Sequence, residues 1–184
     1  MPELPDVTVY IEGLQARVVG QRLARVRLAS PFVLRSVDPP IAAANGRVVV
    51  GVRRLGKRVV LALDDDLYLV IHLMIAGRFR WERCGVKPPG KIGLAAFDFA
   101  TGTLLLTEAS PKKRAALYLV RGAEAVAAHD PGGIEVLEAD AATFRVALRR
   151  ENHTLKRALT DQPFPKIDLP PQVAALRCIA RKQS

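Results

Sequence analysis

The sequence predicts an α+β fold in which an N-terminal helix flanks an antiparallel β-sandwich and a small helical region follows. Three observations carry this. Apolar residues recur at helical spacing near the start, six short β-rich runs fill the middle, and the strand signal stops after Val120.

The elements follow in order. Asp6 is a good N-cap for a helix over 7–19, where Val7, Ile11, Leu14 and Val18 share a face and Gly20 ends the run. Strands are expected over 47–52, 58–63, 67–73, 92–99, 103–107 and 115–120. The links Asp64-Asp65-Asp66, Pro88-Pro89-Gly90 and Ala100-Thr101-Gly102 have turn chemistry, which suits antiparallel neighbours in a sandwich. Short helices are expected over 123–128, 140–149 and 154–160, separated by Asp130-Pro131-Gly132-Gly133 and Glu151-Asn152-His153. Pro163, Pro165, Pro170 and Pro171 then open a basic tail, so the expected organisation is a sandwich over 1–121, a helical part over 122–162 and a tail over 163–184.

Composition narrows the function classes. The 184 residues are 49% hydrophobic, enough to bury a core. The 28 Lys and Arg against 18 Asp and Glu give a formal charge of +10, which fits a polyanionic partner such as nucleic acid and equally a solvated basic surface. Cys84 and Cys178 are far apart, so a disulfide framework or a four-cysteine zinc site is not expected and a reducing, cytoplasmic compartment is. The opening residues lack the basic and apolar regions of a secretory signal, and no apolar run reaches membrane-spanning length.

The chemistry-bearing residues are few. Pro2 follows a methionine that is normally removed before a small residue, which would leave a terminal secondary amine. An α-amino group titrates at roughly 8, far below a lysine side chain, so a useful fraction is unprotonated and nucleophilic near neutral pH. Attack on a nucleoside sugar carbon would expel the base and leave an iminium that invites elimination of a phosphate. Glu3, beside that amine, is placed to move protons. Taken alone, Pro2 to Asp6 reads more readily as a rigid lead-in to a helix with Glu3 as a favourable charge near its N-terminus. Lys57 lies between two strands among Arg53, Arg54 and Arg58, where neighbouring cations disfavour its ammonium form and a phosphate would attract it; a solvated hairpin is the plain alternative.

The segments in sequence order resemble one family. Met-Pro-Glu-Leu-Pro-Asp-Val with a helix ending in Val18-Val19-Gly20 is similar to the opening of the formamidopyrimidine-DNA glycosylase and endonuclease VIII family. Arg53-Arg54-Leu55-Gly56-Lys57-Arg58 resembles its hairpin with a catalytic lysine, and His72-Leu73-Met74-Ile75-Ala76-Gly77-Arg78 its His-Leu-Gly-Met-Ser-Gly strand. Glu151 to Gln162 is similar to the start of its helix–two-turns–helix element.

The resemblance implies a base-excision repair enzyme that removes oxidised or ring-opened bases and cuts the strand by elimination, a monomer acting on double-stranded DNA in the bacterial cytoplasm. Pro2 would be the Schiff-base nucleophile, Glu3 the general acid and base, and Lys57 the proton donor or phosphate contact. Lys91, Lys112, Arg114 and Lys156 would grip DNA, and Ile75 would fill the gap left by the extruded base. The alternative is a non-catalytic damaged-DNA-binding remnant. The chain departs from the family where Ile75 stands for the usual Met and where Ser110-Pro111-Lys112-Lys113-Arg114 stands for Asp-Pro-Arg-Arg-Phe. After Gln162 the family's Gly-Ile-Gly-Asn turn and zinc finger have no counterpart in 163–184, so no metal or other cofactor is expected in this chain.

Overall fold

A computed structural model of the chain describes residues 4–130 and 140–149. The first helix, α1 (Leu4–Val18), starts earlier than an Asp6 cap requires. First-turn N–H groups have no partner inside a helix, so Pro5 forfeits nothing there and Asp6 becomes a favourable charge within the turn. The expected apolar face is the one that packs: Val7, Leu14 and Val18 are buried, and Tyr10 and Ile11 lean on the same core.

Eight strands follow: β1 (Arg25–Leu28), β2 (Val49–Leu55), β3 (Arg58–Leu63), β4 (Leu67–His72), β5 (Gly77–Glu82), β6 (Gly93–Phe99), β7 (Gly102–Glu108) and β8 (Ala116–Arg121). They form two four-stranded sheets, ordered β1-β6-β7-β5 and β2-β3-β4-β8, with every pair antiparallel. Period-two alternation builds the space between them. Val59, Leu61 and Leu63 of β3 meet Leu69 and Ile71 of β4, Leu117 and Leu119 of β8, and Phe97, Leu104 and Leu106 from the other sheet.

Two strands lie outside the six β-rich runs. Both β1 and β5 are edge strands with polar outer faces; in β5, Arg78, Arg80 and Glu82 are exposed while Phe79 and Trp81 turn inward. The free edge of β8 is covered by the segment after β1: Leu119 N–H donates to Ser36 Oγ (2.8 Å) and Arg35 N–H to the Leu117 carbonyl (2.9 Å).

The outer face of the second sheet also holds apolar residues. Val60 and Val70 are fully buried there by Val126 of α2 (Ala123–Ala127). A third helix, α3 (Ala141–Arg149), is capped by Asp140, whose Oδ1 accepts the Thr143 N–H at 2.7 Å. The helix expected over 154–160 and the tail over 163–184 lie outside the described residues.

One polar knot holds the first sheet's outer face. Asp98, 9% exposed, accepts two hydrogen bonds from Arg27 (2.7 Å each) and one from Thr103 Oγ1 (2.9 Å), with Arg25 at 3.6 Å. The hydrogen bond from Arg27 holds the carboxyl below its ordinary range. Removing a carboxylate from a pair this buried leaves Arg27 uncompensated, so Asp98→Ala is expected to cost about 3 kcal/mol in denaturant unfolding. Because the folded carboxyl titrates below the unfolded one, its contribution is complete above the usual carboxylate range and disappears as pH falls through the folded value; the variant's stability should lack that acid limb.

Candidate nucleic-acid interface

Strand register decides which residues share an end of the sandwich. In one sheet Arg58, His72 and Ala116 pair in a row, at the start of β3, the end of β4 and the start of β8. In the other, Gly77 at the start of β5 pairs with Glu108 at the end of β7, and Gly93 at the start of β6 with Thr107. Only residues 73–76 separate β4 from β5, so both rows lie at one rim. The connections emerging there carry Lys57, Ile75, Lys91, Lys112 and Arg114.

The first helix reaches the same rim. Gly20 N–H donates to the Val49 carbonyl (2.8 Å) and Gln15 Nε2 to that of Val52 (3.0 Å), so α1 runs antiparallel to β2. From Gln15 back to Leu4 is about 16 Å of helix, and from Val52 to Lys57 is about 16 Å of strand. Leu4 therefore arrives level with the β2–β3 hairpin. Pro2 and Glu3, which precede it, and Lys156 lie outside the described residues.

The hairpin is tight. Leu55 pairs with Arg58, leaving only Gly56 and Lys57 in the turn. Gly56 takes φ +56°, as the first position of such a two-residue turn demands. Arg54 Nη1 braces it through the Gly56 carbonyl (3.2 Å), and Lys57 is half-buried. Across the sheet His72 Nδ1 accepts the Met74 N–H at 2.9 Å, which fixes the proton on Nε2. Burial, then the charges of Arg58 and Lys57, push this imidazole down to about 4. At neutral pH it is an uncharged Nε2–H donor. The Arg58 Nε is buried with no hydrogen-bond partner among the described residues.

The β4–β5 turn presents Ile75, 50% exposed, at its tip. Met74 stands where the family motif has Gly and takes φ +54°. Gly77 closes the turn with its N–H on the Leu73 carbonyl (2.9 Å), and a Cβ there would lie 2.3 Å from that oxygen, so only glycine fits.

The β7–β8 connection is organised by Glu108, 1% exposed. Its Oε2 accepts the N–H groups of Arg114 (2.8 Å) and Ala115 (3.0 Å). Lys113 Nζ donates to the Glu108 carbonyl, so this lysine turns inward and the basic triplet divides: Lys112 and Arg114 are exposed, Lys113 is not. Lys91 is exposed just before β6.

Finally, α2 brings the chain back. It starts beside Arg121, at the far end of β8, and leads to His129, whose ring meets Tyr118 at 4.4 Å and is held below its usual range by burial and then by Arg58. Asp64, Asp65, Asp66 and Glu82 occupy the opposite end of the sandwich from the basic rim. Sequence reasoning missed two residues here. His72 was visible only as part of a motif, and its tautomer depends on the turn; Glu108 carries no sequence signal, because an acid ending a strand ordinarily faces water. Among the described residues no group of His, Cys, Asp and Glu is arranged to hold a metal ion, and no helix is long and apolar enough to cross a membrane.

The sequence profile of the formamidopyrimidine-DNA glycosylase N-terminal domain matches residues 1–130. The chain is 31% identical over 166 residues to the formamidopyrimidine-DNA glycosylase of Solibacter usitatus, covering 89% of this chain and 60% of that one. It is 35% identical over 172 residues to that of Acidiphilium cryptum, covering 88% and 59%. In fold it resembles Lactococcus lactis Fpg crystallised with DNA containing an abasic site, with a TM-score of 0.77 at 24% identity over 89% of this chain and 62% of that one. The chain thus spans about three-fifths of the length of these relatives. With the profile matched from the opening residues through the whole sandwich, the chain belongs to the formamidopyrimidine-DNA glycosylase family.

Proposed function

We propose that this chain acts in base-excision repair as a DNA glycosylase and abasic-site lyase on oxidised or ring-opened bases, with Pro2 as nucleophile. The observation that carries the reading is the gathering of the α1 start, Lys57, His72, Ile75, Lys91, Lys112 and Arg114 at one rim by strand register. The relatives named above are glycosylases, and one neighbouring structure holds abasic-site DNA.

The chemistry runs as follows. The Pro2 nitrogen attacks C1′ of the damaged nucleoside, the bond to the base breaks, and the base leaves with a proton. The sugar ring opens as Glu3 protonates its oxygen, and the resulting iminium acidifies the C2′–H. Loss of that proton expels the 3′ phosphate. Lys57 contributes charge or a proton at the phosphate. His72 adds an uncharged Nε2–H donor beside it, suited to a phosphate oxygen. Ile75 fills the stack from which the base has left. Exposed Lys91, Lys112 and Arg114 contact flanking phosphates, with Lys156 assigned the same role from its motif.

Borohydride reduction in the presence of an abasic-site oligonucleotide tests the reading. The expected result is a covalent adduct that maps by peptide mass to Pro2; its absence under conditions that trap an intact relative would leave only DNA binding. In the same assay Lys57→Met is expected to slow strand cleavage by about a hundredfold while an adduct still forms.

The protonation state of His72 supplies a further check. Its folded value of about 4 lies below the unfolded one, so the fold is most stable above the ordinary imidazole range and loses stability as pH falls from there toward 4. His72→Gln should flatten that limb by about 1.5 kcal/mol, allowing for solvent screening, in thermal unfolding measured between pH 7 and 4.

A further inference from the structure

We infer that Glu108 is a positioning residue that sets the separation between the gap-filling Ile75 and the phosphate-gripping Lys112 and Arg114; the inference rests on the function proposed above. Glu108 ends β7, and three parts of the basic rim meet on it. Its backbone pairs with Gly77, which closes the turn bearing Ile75. Its N–H donates to the Ile92 carbonyl (2.8 Å), next to Lys91. Its carboxylate takes the Arg114 and Ala115 N–H groups, and its carbonyl takes the Lys113 ammonium.

The side chain is the part a strand does not require. Backbone pairing would survive with any residue at 108, but without a side-chain acceptor there the part-buried Arg114 N–H and the buried Ala115 N–H would lose their partner. A carboxylate that is 1% exposed and serves those two donors converts a seven-residue connection into a fixed arm. Lys113, drawn back onto the same residue, forces its neighbours Lys112 and Arg114 outward together. The distance from Ile75 to these two cations is then a property of one side chain, and a wedge in the stack and clamps on the phosphates must keep that distance to act on one site.

The test uses the full chain with Glu108→Gln, which keeps an acceptor oxygen, Glu108→Leu, which does not, and Glu108→Asp, which draws the carboxylate back by about 1.5 Å and keeps the charge. Amide hydrogen exchange at Arg114 and Ala115 reads the tether without DNA: protection should match wild type in Glu108→Gln and fall about tenfold or more in Glu108→Leu and Glu108→Asp. Affinity for a duplex with a tetrahydrofuran abasic-site analogue, divided by affinity for the intact duplex, reads the positioning. That ratio should stay within about threefold of wild type in Glu108→Gln and drop about tenfold in the other two, while intact-duplex affinity and its salt slope hold. If Glu108→Leu does not fold, Glu108→Asp carries the comparison. Unchanged protection, or an unchanged ratio in Glu108→Asp, overturns the inference. A wild-type chain with no preference for the abasic duplex overturns the parent reading instead, and the exchange result still decides whether Glu108 holds the loop.

Discussion

A slip of one residue between β3 and β4 would turn Val59, Leu61 and Leu63 out of the core and Arg58 into it. Register is therefore held by the whole apolar content of the sandwich, and the composition of the rim is a by-product of that constraint. Arg58, His72 and Ala116 line up because the hydrophobic residues behind them do. The β4–β5 turn then ties the second sheet's row to the first, through a glycine that no larger residue can replace.

The rim carries features that cost the fold stability. Met74 sits in left-handed backbone, at a cost of about 1 kcal/mol. His72 is desolvated between cations, and the Arg58 Nε is buried unsatisfied among the described residues. None of these stabilises the sandwich, and the opposite end carries costs of its own in the left-handed Asp65 and Asp66 and the buried Asp64 Oδ1. What sets the rim apart is the sign of its features, a desolvated neutral imidazole and a guanidinium with a buried Nε beside Lys57, which suit an anionic ligand. The core beneath, from Leu61 to Phe97, offsets these costs.

Much of this was legible in the sequence, for identifiable reasons. The helical face of Val7, Leu14 and Val18 and the central strands show because their burial is one-sided or complete, so their periodicity is strong. The edge strands β1 and β5 escaped because their outward residues are Arg and Glu, which lower the mean hydropathy although the alternation in Arg78-Phe79-Arg80-Trp81 is regular. Lys57 and Ile75 were singled out as candidates through motifs whose spacing is local. Glu108 and the inward turn of Lys113 were not, since a charge run reads the same whether its members face water or a buried carbonyl. The return of α2 to the rim depends on Tyr118 and His129 meeting across the outer face, which no local pattern encodes.

The cations at the two ends of the sandwich are held differently. At the far end Arg47 and Arg121 both reach Asp65, at 3.0 and 3.6 Å, so part of their charge is answered within the fold. At the rim Lys91, Lys112 and Arg114 face solvent. A polyanion that approached the rim would meet charge already turned outward, whereas one that approached the far end would meet arginines shared with a carboxylate.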